Sequence, residues 1–312
     1  MKTTKISIIG VDQVGSQTAF TLMLNRLATH IVLVDINHQR AEGEAADIFD
    51  GTSLVGPTKV YAGKITDTKD SDIVIICAGV SQKPGESRLD LINRNIIVYK
   101  DLIPQIAKQS PNSILLVVSN PVDILTYVTY KLSGFPQNRV LGSGTVLDTE
   151  RLKSNIASKL NIDARNICAN ILGEHGDSEI VVWSNANISG TNIKEYCQTI
   201  DKCHKTFFKT IANEVKNSAY DVILKKGYTN FAVSLAVTRI VTSILKDENA
   251  ILTTSTYLKN FYGVSDLYLS VPTIIGKNGT SKIININLNI KEQKAFIKSA
   301  NLIKDLLLKA GL

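Results

Sequence analysis

Ile6-Ser7-Ile8-Ile9-Gly10-Val11-Asp12-Gln13-Val14-Gly15 decides the fold. A brief, mostly apolar, β-branched run predicts a buried strand. Gly10 and Gly15 follow with the spacing of the first and third glycines of G-x-G-x-x-G, and a helix is expected over Val14–Ala28. In that fingerprint the first glycine makes the tight turn, the second lets backbone approach a pyrophosphate, and the third lets strand and helix pack closely. The pyrophosphate then sits on the helix N-terminus, held by unpaired N–H groups and the dipole. Here Asp12 takes the second position. Two readings stay open: its charge weakens cofactor binding, or its side chain turns to solvent. Asp35 ends the next expected strand, Ile31–Asp35, 20 residues beyond Gly15. An acid there hydrogen-bonds a ribose 2′-OH and repels a 2′-phosphate, which favours NAD over NADP.

The same rhythm continues outward. Asp72–Ala78 and Ile114–Ser119 read as further buried strands, with weaker ones at Lys59–Ala62 and Arg139–Gly142. Gln39–Asp50, Arg88–Gln109 and Pro121–Leu132 read as helices between them. Strands alternating with helices predict a doubly wound parallel sheet covered on both faces. Beyond residue 145 the pattern changes. Leu147–Leu160, Lys202–Lys225, Phe231–Lys246 and Glu292–Lys309 read as helices, the last apolar at Phe296, Ile297, Leu302, Ile303, Leu306 and Leu307. Cys168–Leu172 and Glu179–Trp183 read as strands, and Ile251–Tyr257, Tyr268–Ile275 and Lys282–Ile286 as antiparallel strands with a tight turn at Asn278–Gly279. The expectation is an α/β protein: a Rossmann-type doubly wound domain over residues 1–143, then an α+β domain with antiparallel strands over 144–312.

Composition removes other classes. Hydrophobic residues make up 44% of 312, enough for a packed core and too many for a disordered chain. The net charge is +7, which raises the question of a polyanion. The first 156 residues carry 16 basic and 15 acidic groups and the rest 19 and 13, and the longest basic run is the pair Lys225–Lys226. So thin an excess reads as a solvated surface that at most attracts small anions; no nucleic acid is expected. The longest apolar runs, such as Ile114–Val118, fall far short of the ~20 residues that span a bilayer, so no membrane is expected. Cys77, Cys168, Cys197 and Cys203 have no metal-ligand or redox spacing, so no metal is expected and the cysteines read as reduced thiols.

The chemistry concentrates at Leu172-Gly173-Glu174-His175-Gly176-Asp177-Ser178. His175 lies in a polar, glycine-flanked bend between two strand-like runs, where its ring can reach a cleft. Imidazole exchanges protons near neutral pH, the more so when a carboxylate fixes its tautomer. Asp148 is the candidate carboxylate. It shares a helix face with Arg151, three residues on, which can grip a substrate carboxylate bidentately; read alone, the two are an ordinary intrahelical ion pair. Of the other histidines, His30, His38 and His204 read as surface or core. Gln82-Lys83-Pro84-Gly85-Glu86-Ser87-Arg88 and Ser119-Asn120-Pro121-Val122-Asp123 each follow a parallel strand, where such sheets bind ligands.

These segments resemble the L-lactate/malate dehydrogenase family, most closely its bacterial L-lactate members, over essentially the whole chain. LGEHGDSE (172–179) is similar to the active-site segment, QKPGESRLDL (82–91) to the mobile specificity loop, SNPVD (119–123) to the Asn segment and GTVLDTERL (144–152) to the substrate helix. The resemblance implies an NAD-dependent oxidoreductase interconverting pyruvate and L-lactate at the end of fermentation, in the cytoplasm, as a homotetramer. It implies His175 as proton donor and acceptor, Asp148 as its partner, Arg88 as the group that polarises the ketone when the loop closes, and Arg151 as the carboxylate grip. Asn120 would hydrogen-bond the substrate oxygen and Thr229 line the pocket. Gly10, Val14, Gly15, Asp35, Arg40, Gly79, Val80, Val118, Asn120 and Ser143 would hold NAD. Gln82 stands where a malate enzyme carries Arg; a neutral amide leaves a second substrate carboxylate unpaired, which favours pyruvate. Where relatives bind fructose 1,6-bisphosphate through an Arg and a His, this chain has Lys153 and Cys168, so activation is expected to be weak or absent.

Three other readings compete. A dehydrogenase of larger 2-keto acids or malate differs only in substrate range. An NAD- and metal-dependent glycosidase needs metal ligands that Cys168 and His175 supply poorly. A non-catalytic NAD sensor, suggested by Asp12, has no need of the Arg88, Asp148, Arg151, His175 set.

Overall fold

The strands β1 (Lys5–Ile9), β2 (His30–Val34), β3 (Lys59–Ala62), β4 (Ile73–Ile76), β5 (Ile114–Val117) and β6 (Val140–Gly142) run parallel in the spatial order β6-β5-β4-β1-β2-β3. The computed structural model describes residues 3–81, 85–200 and 203–312. The strands are apolar on both faces because helices cover both. Alternate residues point to opposite sides. Val32, Val74, Ile76, Leu115 and Val117 enter one core with α4 (Arg88–Gln109) and α5 (Val122–Ser133). Ile6, Ile8, Ile31, Leu33, Ile73, Ile75 and Leu116 enter the other, with α1 (Gln13–Leu24), α2 (His38–Asp50) and α9 (Phe231–Leu245). A short α3 (Thr52–Val55) follows α2.

The second half extends this sheet. Strands β12 (Ala250–Tyr257), β13 (Tyr268–Gly276) and β14 (Gly279–Ile283) add antiparallel to β6, through Ser255 opposite Gly142, making nine strands. A satellite core joins α6 (Val146–Leu160) to short strands β7 (Ile167–Cys168), β8 (Ile171–Leu172), β9 (Ile180–Val181) and β10 (Asn187–Ile188), and to helices α7 (Ile193–Gln198) and α8 (Phe207–Lys226); β11 (Thr191–Asn192) pairs with β10. Helix α10 (Ile290–Lys309) closes the chain. No helix among the described residues is long and apolar enough to cross a membrane.

Several local expectations shift. Cys168–Leu172 is two strands, not one: β7 pairs with β10 and β8 with β9, so the chain changes sheets at Ala169-Asn170. The last strand begins at Gly279 rather than Lys282. The hairpin turn is Lys277-Asn278, with Gly279 at φ +86 where a Cβ is disfavoured. Helix α8 begins at Phe207, well after the expected start; Lys202 lies outside the described residues. On α10 the buried stripe is Phe296, Ala300, Ile303 and Leu307, a helical i, i+4, i+7, i+11 set, and Ile297 and Leu302 face solvent. The expectation of four reduced thiols also fails. Cys197 and Cys203 form a disulfide between α7 and the approach to α8, while Cys77 and Cys168 are free. Six-residue spacing carried no signal for this; the two Cα atoms lie 5.4 Å apart, within disulfide reach.

Candidate active site

Strand order reverses between β1 and β4, and at that point the loops leaving the C-terminal strand ends diverge into a crevice. Gly10 follows β1, Asp35 follows β2, Gly79 and Val80 follow β4, Val118 and Asn120 follow β5, and Ser143 follows β6. Gly10 has φ +87, and a Cβ there would stand 2.6 Å from the backbone nitrogen of Ala78; a Cβ on Gly15 would stand 1.9 Å from the carbonyl of Gly10. Both glycines are therefore required for strand, turn and helix to approach so closely, and bare backbone faces the crevice. Asp35 accepts the backbone N–H of Val11 at 2.7 Å and that of Asn37 at 2.8 Å, so the acid is tied to the turn. These features fit a dinucleotide.

Asp12 caps α1 with φ −70, a conformation open to any residue, so glycine is not needed there for backbone reasons. Its side chain is 72% exposed and accepts from Arg40 at 3.1 Å. The solvent-turned reading describes its position, and the neighbouring guanidinium offsets its charge.

The cleft beside this crevice has a volume of about 480 Å³ and is lined by Arg88, Asn120, Asp148, Arg151 and His175, with Lys216 and Tyr220 entering from α8. Thus four of the charged residues singled out by motif meet, from α4, α6 and the bend after β8. Val146–Leu160 forms α6 with Asp148 in its first turn, so Asp148 and Arg151 share a face and point into the cleft. One Asp148 oxygen accepts His175 Nδ1–H at 2.5 Å, and the other accepts Arg151 Nη1–H at 3.0 Å. The carboxylate is buried, its side chain 4% exposed. Fixing Nδ1 as donor leaves Nε2 as the nitrogen able to exchange a proton. Burial pushes the imidazole pKa down, but the charge and hydrogen bond of Asp148, aided by Asp123 and Glu179, outweigh it and raise His175 to about 9. Burial also opposes ionisation of Asp148, yet His175 and Arg151 hold its carboxyl below the usual range.

Three acids were not singled out in the sequence. Asp123, in the first turn of α5, accepts the backbone N–H of His175 at 2.8 Å and the hydroxyl of Ser255 at 2.6 Å, pinning the bend; burial raises it to about 6. Glu174 is buried and pairs with Arg88. Glu179 lines the cleft, and burial, then the charge of Asp148, pushes its pKa up. All three lie in the quoted motif segments, but nothing in their spacing distinguishes them from solvated acids.

Other expected residues fall elsewhere. Thr229, half-buried on the turn between α8 and α9, is not among the residues lining the cleft. Gln82 lies outside the described residues. Lys153 donates to Glu150 at 2.7 Å, and Cys168 is exposed on β7.

Residues 4–142 match the model of the lactate/malate dehydrogenase NAD binding domain, and residues 145–310 that of the lactate/malate dehydrogenase alpha/beta C-terminal domain. The chain is 55% identical over 304 residues to an L-lactate dehydrogenase of Clostridium perfringens, covering 97% of this chain and 96% of the relative. It is 53% identical over 305 residues to L-lactate dehydrogenase 1 of Clostridium acetobutylicum, covering 97% of each. The fold superposes with a TM-score of 0.94 on a ligand-bound minor L-lactate dehydrogenase of Enterococcus mundtii, 38% identical, covering 99% of both chains. A lactate dehydrogenase from a Medee basin deep-sea metagenome library gives 0.95, at 38% identity and full coverage. The chain belongs to the lactate/malate dehydrogenase family.

Proposed function

We propose that this chain is an NAD-dependent L-lactate dehydrogenase that interconverts pyruvate and L-lactate. The observation that carries the reading is the His175–Asp148 pair with Arg151 and Arg88 in one cleft, beside a nucleotide-binding turn. Gly10, Val14, Gly15, Asp35, Arg40, Gly79, Val80, Val118, Asn120 and Ser143 would hold the cofactor; NAD, when bound, supplies the hydride chemistry. Arg151 binds the substrate carboxylate. As negative charge grows on the keto oxygen, Arg88, Asn120 and protonated His175 stabilise it, and His175 Nε2 then delivers the proton that completes the alcohol. Asp148 keeps the imidazolium charged and oriented through that step. In the reverse direction neutral His175 removes the hydroxyl proton.

Gln82 favours a methyl over a second carboxylate, and Thr229 would line the substrate pocket. Residues 1–143 act as the cofactor unit and 144–312 as the substrate unit. Lys153, already paired with Glu150, and Cys168 support weak or absent activation by fructose 1,6-bisphosphate. The family resemblance implies a homotetramer, and self-association is supported by exposed apolar side chains on helices that pack on one another: Phe20 and Leu24 of α1, Phe49 of α2, Leu54 of α3, and Phe231 and Leu235 of α9. The enzyme would work in the cytoplasm, at the last step of lactate fermentation. The test is steady-state oxidation of NADH with pyruvate and, in parallel, oxaloacetate. Rapid turnover with pyruvate is expected; a preference for oxaloacetate would assign malate chemistry, and no turnover would leave a sensor.

A further inference from the structure

Of the cations that line the cleft, His175 and Arg88 come from different elements and are each gripped from behind by a different buried carboxylate. For His175 the carboxylate is Asp148. For Arg88 it is Glu174, the residue immediately before His175, whose side chain is 1% exposed. Arg88, the first residue of α4 and 37% exposed, donates from Nη2 to Glu174 Oε1. The second oxygen accepts the Ser178 hydroxyl and, at 3.3 Å, the Ser178 backbone N–H. The Glu174 backbone N–H is itself held by Ser299 Oγ at 2.9 Å, and Ser299 and Ser178 share a hydrogen bond of 2.8 Å. Oε2 and the backbone of Glu174 are thus held by the bend and α10 before any ligand arrives, which leaves Oε1 for Arg88. A buried carboxylate is costly unless a cation and hydrogen bonds satisfy it, so Arg88 is held to the bend and not left in water.

The geometry points to Glu174 as the positioning residue of Arg88: it aims the guanidinium into the cleft, on the same bend that presents His175. This rests on the L-lactate dehydrogenase reading. A guanidinium has five N–H donors in a rigid fork. With Nη2 on Glu174, the other donors remain available to an oxyanion in the cleft that His175 also lines. Because Glu174 also balances the charge of Arg88, the ground-state carboxylate gains little from this cation. The contribution therefore belongs to turnover, and Arg151 dominates binding.

The test is a double-mutant cycle in the full-length protein with NADH and pyruvate. Glu174→Gln removes the charge at nearly constant shape. Its kcat should fall roughly 10- to 100-fold, the range expected when a reacting group is misplaced by about 1 Å, with KM for pyruvate within about 2-fold. In an Arg88→Gln background the same change should have no further effect on kcat. An equal loss in both backgrounds, an unchanged kcat, or a rise in KM alone would overturn the assignment. If Glu174→Gln does not fold, Ser178→Ala, which removes one donor to Glu174 without altering charge, should show a smaller loss that also vanishes with Arg88→Gln. Crystal structures of the parent and Glu174→Gln give a readout independent of turnover. Arg88 should leave the cleft in the variant, and a guanidinium that stays in place refutes the role. A parent inactive with pyruvate refutes the enzyme reading instead, and the crystal comparison still decides the positioning.

Discussion

Asp148→Asn should move the pH dependence of the reaction more than any other single change in the cleft. In the parent His175 titrates at about 9, against 6.5 for a free imidazole. That gap of about 2.5 units is roughly 3 kcal/mol in favour of the charged ring. Burial works against the charge; the carboxylate at 2.5 Å more than cancels it. With Asn at position 148, burial is opposed only by Asp123 and Glu179, and the ring should titrate at or below its ordinary value. Pyruvate reduction needs protonated His175. At pH 8 roughly 90% of the parent carries the proton, against at most about 3% of the variant, a loss of about 30-fold in kcat/KM from protonation alone. The assay is kcat/KM for pyruvate from pH 5.5 to 10. The parent should fall off near 9, and the variant should fall off at least two units lower and recover part of its rate in acid. Lactate oxidation, which needs the neutral ring, should shift its rising limb in the same direction. An inflection still near 9 in Asp148→Asn would refute the reasoning, because the shift would then have another source.

Arg40→Ala should weaken NADH binding several-fold by fluorescence titration, and much less in an Asp12→Gly background, since Arg40 then has no adjacent carboxylate to neutralise; equal losses in both would separate Arg40 from Asp12. Asp12→Gly alone should bind NADH at least as tightly as the parent. Gln82→Arg should shift the pyruvate/oxaloacetate ratio toward oxaloacetate, and an unchanged ratio would remove Gln82 from specificity. The raised His175 pKa also makes stability depend on pH: the folded state holds the proton more tightly, so its contribution is complete below 6.5 and is lost as pH rises toward about 9. Urea unfolding of the parent and His175→Gln at pH 6 and pH 9.5 should show a difference that shrinks by up to about 3 kcal/mol at the higher pH; a constant difference would contradict the shift.

Elements built from local periodicity were legible in advance. Arg88–Gln109 is a helix over the expected residues because Ser87 and Asp90 form a capping box at its start and its apolar stripe has the helical period. The strand–turn–helix at Gly10 was legible because a close approach of backbones admits only glycine. Segments of two to six residues, such as β10 and α7, were not, because they are held by a satellite core and not by their own pattern. The disulfide escaped for a related reason: Cys197 lies in a six-residue helix and Cys203 precedes α8, so no periodic pattern links them.

The chain's residue types and order alone determined a doubly wound sheet, a dinucleotide turn that prefers NAD, and a histidine with carboxylate and arginine candidates, since each is a property of neighbours a few residues apart. Only the tertiary structure decided which acid serves which cation. Asp148 meets His175 across 27 residues, Asp123 pins that histidine's backbone across 52, and Glu174 holds Arg88 across 86. A carboxylate becomes a partner or a solvated charge according to what is buried with it. Burial is set by how the sheet, α4, α5 and α6 close on the bend, which no local spacing encodes.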